Sequence, residues 1–479
     1  MLTREEFQVV YDQGPDAVYA LFVSMHATIE ALTARVKQLE DRLGKDSHNS
    51  SKPPSSDGLA KKPKPKSLRG KSGRRSGGQP GHPGRTLEFV ECPDQTVVHS
   101  AEQCQHCGAA LEEAPVTDTE RRQVFDLPPL KLDVTEHQVQ TRSCLHCGHK
   151  SRGEFPEQVE HRVQYGPRVK GLATYLTHFQ LLPFERVSQL MQDLFGTSLS
   201  EGTLQNTTQE AYTALAPVEA KIYEALRQGD LAQFDETGMQ IARKLHWLHV
   251  TCTSQLTYYF MHPKRGPVAM DAIDILPRFD GWAVHDGLPA YAKYGCRHAL
   301  CNAHHLRELT AMEEQHQQTW AKPMRELLCQ IKEAVELAKA RNYQRLHPVE
   351  ACAFEARYQA ILQTGYAANP PPELTGRKGR PKQGPARSLL LRLDQHRNQV
   401  LAFMYDFSVP FDNNQAERDL RMMKVKQKVS GCFRSEEGAK AFCRIRGYIS
   451  TLRKQGEQVF FALQQIFTGA PIMPSLTAE

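Results

Sequence analysis

Apolar residues at Val18, Phe22, Met25, Ile29, Leu32, Val36, Leu39 and Leu43 alternate spacings of four and three without a slip. That is the a/d seam of a coiled coil, and it predicts one long self-associating helix within residues 1–45. The competing reading is an amphipathic helix packed on its own chain. From residue 46 to 90 the pattern stops. This stretch is rich in Ser, Pro, Gly and Lys (SHNSSKPPSSDG, then RRSGGQPGHPGR) and has too few apolar residues to fold alone. Alternation returns in VFDLPP and LDVTEHQVQTRS, which read as strands of an extended hairpin inside residues 91–155. Between 160 and 226 the period is helical. VSQLMQDLF runs to Gly196, and Ser200 is placed to cap a helix beginning EGTLQNTTQEAY, which is the outline of a DNA-reading helix-turn-helix. Many helix pairs share that outline.

After Gly229 the grammar changes. LAQFDETGMQI, KLHWLHVTCTS and LTYYFMHP read as three strands, and VAMDAIDIL as a helix. GWAVHDGLPAY returns to a strand, and CRHALCNAHHLREL is a fifth strand running into a helix. Three strands, a helix, then a strand is the order of a ribonuclease-H-like sheet, in which the first and fourth strands lie side by side at the centre. PMRELLCQIKEAVELAKA has a helical period, so residues 313–399 read as a mainly helical insertion. It splits the core into 229–312 and 400–454, with a helix and tail at 455–479. The expected fold class is multidomain α/β. A ribonuclease-H-like mixed sheet with a helical insertion follows a coiled-coil helix, a zinc ribbon and a helix-turn-helix region.

Composition changes this picture in two places. The net charge of +6 over 479 residues is modest, but no acid stands between Asp57 and Glu88. That interval holds Lys61, Lys62, Lys64 and Lys66 among nine basic residues, a solvated arm suited to a polyanion or else a plain linker. A second basic run, Arg377, Lys378, Arg380 and Lys382, surrounds Gly379-Arg380-Pro381. It reads as an extended Arg-Pro unit for the narrow minor groove, or as an ordinary basic loop. The start, MLTREEFQVVYDQG, has no basic region followed by an apolar run, and no stretch reaches the length of a membrane span. A cytosolic setting is expected, in which twelve cysteines serve as thiols and metal ligands rather than disulfides.

Four of those cysteines stand as Cys104-x-x-Cys107 and Cys144-x-x-Cys147, each second cysteine followed by glycine. Two such knuckles supply four thiolates for one tetrahedral, structural Zn2+, with no open position for substrate; a redox dithiol is the alternative. A different chemistry is suggested by acids. Asp235 lies on the first core strand and Asp286 at the end of the fourth, where neighbouring strands can share a divalent ion. Glu417, in FDNNQAERDLRMMKVK, shares a helix face with Asn413 and Arg421 at spacings of four. Three carboxylates suit two Mg2+ (or Mn2+) ions, one activating the attacking oxygen and one stabilising the leaving oxygen of an in-line phosphoryl transfer. Singly, each acid has a plainer role in a turn or on a solvated helix; together, with the strand order, they read as a site. Cys301 and His304 have Cys-x-x-His spacing, but two residues do not make a metal site, and core packing is the simpler account of Cys301.

The chain resembles the insertion-sequence-66 family of bacterial transposases over nearly its whole length. The resemblance rests on the heptad start, NSSKPPSSDG, GGQPGHPGRTL, the paired Cys-x-x-Cys-Gly, DETG at 235–238, HDG at 285–287, CNAHHLREL at 301–309 and NNQAERDLR at 413–421. It implies a DDE catalytic domain with Asp235, Asp286 and Glu417 as the triad. It also places Cys301 near the catalytic centre, with His304 or Arg307 as candidates to contact the scissile phosphate. The partners implied are the element's terminal repeats, target DNA, a second copy of the chain and element-encoded helper proteins, with no membrane. The setting implied is the bacterial cytoplasm and nucleoid. Within the helix-turn-helix, Gln205, Asn206, Thr207 and Gln209 are the side chains able to read base edges. Two rivals stand beside this reading: a zinc-containing DNA-binding regulator with an idle catalytic fold, and a ribonuclease-H-like nuclease without strand transfer.

Overall fold

The computed structural model describes residues 4–43, 87–372 and 383–476. The arm lysines Lys61, Lys62, Lys64 and Lys66, and the loop residues Arg377 and Arg380, lie outside them. Among the described residues no helix is long and apolar enough to cross a membrane.

Helices α1 (Arg4–Asp12) and α2 (Pro15–Leu43) open the chain. The heptad residues Phe22, Met25, Ile29, Leu32, Val36 and Leu39 are all exposed along α2, Phe22 at 63%. In the cysteine-bearing region the hairpin expected from VFDLPP and LDVTEHQVQTRS does not form. Only β1 (Thr141–Ser143) is a strand there, paired antiparallel with β2 (Lys150–Arg152). The physical reason is the lack of an opposing layer. Val124 and Val134 are each 91% exposed, so alternation has nothing to bury against, and Pro128 and Pro129 carry no N–H for a ladder.

Next come α3 (Pro167–Thr174), a π-turn (Tyr175–Phe179), α4 (Phe184–Phe195), α5 (Glu201–Ala214) and α6 (Ala216–Gln228). Ser200 caps α5, its hydroxyl accepting from the Thr203 N–H at 3.1 Å. Gln205, Asn206 and Gln209 are exposed on α5. Thr207 is not available to a ligand, because it is buried and its hydroxyl donates to the Thr203 carbonyl at 2.9 Å.

The sheet is built from β3 (Leu231–Ile241), β4 (Lys244–Cys252), β5 (Thr257–His262), β6 (Trp282–His285) and β7 (Arg297–Leu300), with α7 (Pro267–Ile273) between β5 and β6. Its order is β5-β4-β3-β6-β7. The first three strands are antiparallel, whereas β6 and β7 run parallel to β3. The close approach of β6 to β3 requires glycine at 281: a Cβ there would lie 2.5 Å from the Asp230 carbonyl oxygen.

A helical excursion follows: α8 (Asn302–Glu314), α9 (Ala321–Ala340), α10 (Pro348–Ala368), α11 (Pro385–Gln395) and two single turns, α12 (Arg397–Val400) and α13 (Ala402–Tyr405). Trp320, Leu327, Leu328, Tyr358, Leu362 and Leu390 form its core, which is continuous with Val284 and Ala299 of the sheet. The chain then returns as α14 (Asn414–Ser430), α15 (Glu436–Lys454) and α16 (Val459–Ile466).

Strand alternation divides β3 between two layers. Met239 and Ile241 face Ala416, Leu420 and Met423 of α14, residues spaced by four and three on one helical face. Ala232 and Phe234 face Met270, Ile273 and Tyr291 on the other side. A buried pair, Lys454 Nζ to Asp419 Oδ2 at 2.6 Å, ties α14 to α15. Truncating Leu420 to alanine would cost about 2–5 kcal/mol and loosen the helix that carries Glu417.

Candidate active site and metal centres

Parallel pairing of β3 with β6 matches Gln233 to Val284. Two residues further on, the same offset sets Asp235 level with Asp286, just past the end of β6. Pairing of β6 with β7 matches His285 to Leu300, so the next step sets Asp286 level with Cys301. Asp235, within β3, thus stands in a row with Asp286 and Cys301, the residues just past the ends of β6 and β7, and α8 begins immediately after.

Asn413 pins the start of α14 to this row. Its side-chain amide donates to the Phe234 carbonyl at 2.8 Å, and its backbone N–H donates to Cys301 Sγ at 3.1 Å. Glu417, one turn into α14, is thereby brought over the strand ends. His304 Nε2 lies 3.8 Å from Glu417 Oε1, and Arg307 Nη2 lies 3.6 Å from Glu417 Oε2. The sequence pattern put Asn413 and Arg421 beside Glu417. Instead the Asn413 amide is spent on β3, Arg421 is exposed, and the guanidinium at Glu417 comes from α8.

Burial, then the charges of Glu236, Asp286 and, more weakly, Glu417, push the Asp235 carboxyl well above the usual carboxylate range. The Glu236 N–H donated to Asp235 Oδ1 at 2.8 Å opposes this only in part. Three acids close enough to repel are a donor set for a hard divalent cation, which removes the repulsion. Their oxygens do not gather as tightly as a single-ion cluster.

Sequence reasoning missed the other face of β3. The Glu236 side chain is fully buried and accepts from Arg265 Nε at 2.7 Å and from the Tyr291 hydroxyl at 2.8 Å. Arg265 Nη2 also lies 3.9 Å from Asp286 Oδ2, and the guanidinium packs over the Trp247 ring. Glu236 therefore holds a cation beside Asp286 without facing the row itself. An acid in the inward set Ala232, Phe234, Glu236 was the available signal; Arg265, in a loop, gave none.

Cys301 does more than pack. It is buried, and burial pushes its thiol up to about 12 while the backbone N–H groups of Asn413 and His304 pull the other way. Its sulfur, the His304 ring and Glu417 place one ligand atom each within 4.8 Å of one another, the one such group of three among the described residues. The third member comes from 113 residues beyond His304, which no local spacing reveals.

The two cysteine knuckles fold alike. Cys104 N–H donates to the Ala109 carbonyl and Cys144 N–H to that of His149, both at 2.8 Å. Gly108 and Gly148 both take φ of +74°, the left-handed turn that only glycine adopts freely. Backbone amides of Cys107 and His106, and of Cys147 and His146, hold Cys104 and Cys144 below the usual thiol range, the state a metal needs. Each pair is formed, but the four sulfurs are not gathered into one cluster. The donor set nonetheless suits zinc, being four thiols of which two are already biased toward thiolate.

The described chain is thus a mixed α/β domain carrying a cluster of acids, preceded by a region of paired cysteines. Residues 162–441 match the model of the Transposase IS66 family, and residues 101–148 match the zinc-finger binding domain of transposase IS66. The chain belongs to the IS66 transposase family. Residues 4–88 match a family of unknown function. No individually curated protein matches the chain. Membership makes the protein a transposase with a structural zinc in its finger, and it implies DNA binding.

Proposed function

We propose that the protein is a DDE transposase on a ribonuclease-H-like core, cleaving DNA at the ends of its element and joining the freed 3′-hydroxyl to target DNA. The observation that carries this reading is the row at the strand ends. Asp235 and Asp286 are level on adjacent parallel strands, and Asn413 bolts the helix of Glu417 onto them. The sheet order, three antiparallel strands followed by two parallel ones beside the first, supports the ribonuclease-H-like assignment. Two Mg2+ ions held by Asp235, Asp286 and Glu417 would supply the activation of the attacking oxygen and the neutralisation of the leaving one. The protein's own part is positioning. Arg265 sets a positive charge beside Asp286, Arg307 sets one beside a Glu417 oxygen, and His304 or Arg307 would contact the scissile phosphate. Cys104, Cys107, Cys144 and Cys147 hold the finger's zinc.

DNA has a path away from this site. Arg421, Lys424 and Lys428 follow Glu417 at spacings of four, three and four, one stripe of α14. Burial holds Lys424 below the usual lysine range, and its ammonium faces the Gly238 carbonyl at 3.4 Å. A desolvated cation there favours a phosphate neighbour. The test is incubation with the element's own ends and Mg2+, mapping nicks at nucleotide resolution and scoring joining of labelled ends to a plasmid. Nicks without joining would make it a nuclease. Binding without nicks would make it a regulator with an idle fold.

Two outer segments carry separate expectations. The exposed seam of α2 calls for a second copy of itself. Removing residues 1–45 is expected to lower the oligomeric state in sedimentation; an unchanged state would give the helix another role. The arm and the helix-turn-helix should divide the DNA between them. Replacing Lys61, Lys62, Lys64 and Lys66 by alanine is expected to weaken binding to all DNA and flatten its salt dependence, by about one unit of slope for each phosphate no longer neutralised. Replacing the exposed Gln205 and Asn206 should instead narrow the gap between terminal and random DNA, with little change in slope. Titrations on both DNAs at several salt concentrations separate these. Loss of only specific binding in the lysine variant would refute the division.

A further inference from the structure

Glu417 has a soft-donor side that the carboxylate row does not use. We propose that Cys301 Sγ, the His304 imidazole and Glu417 Oε1 form a second cation site, selective for Zn2+ over Mg2+, whose occupation diverts Glu417 from the catalytic row and inhibits the enzyme. The inhibitory half rests on the reading of Glu417 as a catalytic ligand; the binding half does not.

Geometry comes first. One ligand atom from each residue lies within 4.8 Å of the others, and His304 Nε2 stands 3.8 Å from Glu417 Oε1. Zinc bonds of about 2.3 Å to sulfur and 2.0–2.2 Å to nitrogen or oxygen put tetrahedral ligands roughly 3.3–3.7 Å apart; His304 and Glu417 are already near that spacing, and the sulfur closes by a side-chain shift of up to about 1 Å. Arg307 engages the other Glu417 oxygen, Oε2, and leaves Oε1 to the metal. Glu417 is partly exposed, so water can reach the carboxylate and complete a four-coordinate site.

Cys301 shares one feature with the finger, a pair of backbone amides at its sulfur, but it is buried where Cys104 is not, and burial outweighs the amides and keeps the free thiol protonated until a metal displaces the proton. In the first knuckle, Cys104 faces the backbone amides of His106 and Cys107. Cys301 likewise faces two amides, those of His304 and Asn413, the latter at 3.1 Å. Amides aimed at sulfur stabilise a thiolate, and Cys-x-x-His is the finger's Cys-x-x-Cys with one sulfur exchanged for an imidazole. Binding forms a metal–sulfur bond, the thiol proton leaves to solvent, and no electron moves. Thiolate and imidazole donors favour Zn2+, whereas Mg2+ keeps to oxygen.

The experiment is equilibrium dialysis of the full-length protein against Zn2+ in excess Mg2+, paired with Zn2+ titration of Mg2+-dependent end cleavage. Wild type is expected to hold two zinc ions per chain. Cys301→Ser, whose hydroxyl still accepts the Asn413 N–H, should hold one, as should His304→Gln. The finger variant Cys104→Ser with Cys144→Ser should hold one, at the Cys301 site. One zinc in wild type, or two in both Cys301→Ser and His304→Gln, overturns the site. The Zn2+ concentration that halves cleavage should rise at least about tenfold in Cys301→Ser. Equal inhibition of both proteins, with the second zinc in wild type only, overturns the switch. A failure of Glu417 as a catalytic ligand would show in the cleavage of Glu417→Gln and not in the dialysis of wild type.

Discussion

Asp235→Asn, Asp286→Asn and Glu417→Gln are each expected to lose at least about 10²–10³-fold in cleavage rate while still binding DNA. Each swap keeps shape and removes one carboxylate oxygen's charge. Loss of metal-held charge stabilisation is worth several kcal/mol at the transition state, and each 1.4 kcal/mol is about tenfold. Glu236 cannot stand in for a lost carboxylate, since it is committed to Arg265 and Tyr291 on the other face. Asp235→Asn carries a second expectation that a merely structural residue would not. The Asp235 carboxyl is held above its ordinary range by burial and by its acidic neighbours. An acid raised on folding contributes stability that is present below its unfolded pKa and lost as pH rises toward the folded one. Without metal, wild type should therefore weaken as pH climbs through and above the carboxylate range. Asp235→Asn should be steadier there, and Mg2+ should restore wild type far more than the variant. Thermal melts across pH, with and without Mg2+, check this alongside nick mapping. Cleavage by any one variant at the wild-type rate would remove that residue from the triad.

Replacing Cys104 and Cys144 together by serine should strip the finger of its zinc and of its structure. Leu127 and Leu145 are among the exposed apolar residues of this region, and its one sheet is two strands of three residues. A two-stranded sheet of that size is not stable alone. Metal then has to supply the folding energy, and zinc in small cysteine fingers contributes on the order of 10–16 kcal/mol in apparent terms. The expected result is loss of the finger's zinc by metal analysis, with rapid proteolysis confined to residues near 91–155. The core around the sheet has its own apolar clusters and should melt as before. Zinc retained by the double variant in the Cys107 and Cys147 region, or a finger still resistant to protease, would end the four-thiolate assignment.

By itself the sequence determined whatever depends on local pattern. The strand LAQFDETGMQI has the bounds of β3, because its strand-forming residues follow the break at Gly229. Ser200 announces α5, because a cap is satisfied within three residues. The knuckles close locally around their glycines. Asp235, Asp286 and Glu417 stood out because strand order alone sets the first two side by side. Tertiary structure decided what depends on partners far away in the chain. Whether VFDLPP and its neighbour become strands turned on an apolar layer that is not there. The guanidinium at Glu417 is that of Arg307 rather than Arg421, since α8 and not the next turn of α14 faces the carboxylate. Arg265 reaches Asp286 because a buried Glu236 holds it there, and Cys301 and His304 gain a third donor only when α14 docks on β3. Helical and strand periods record which face a residue takes; they carry no information about which distant side chain will meet it.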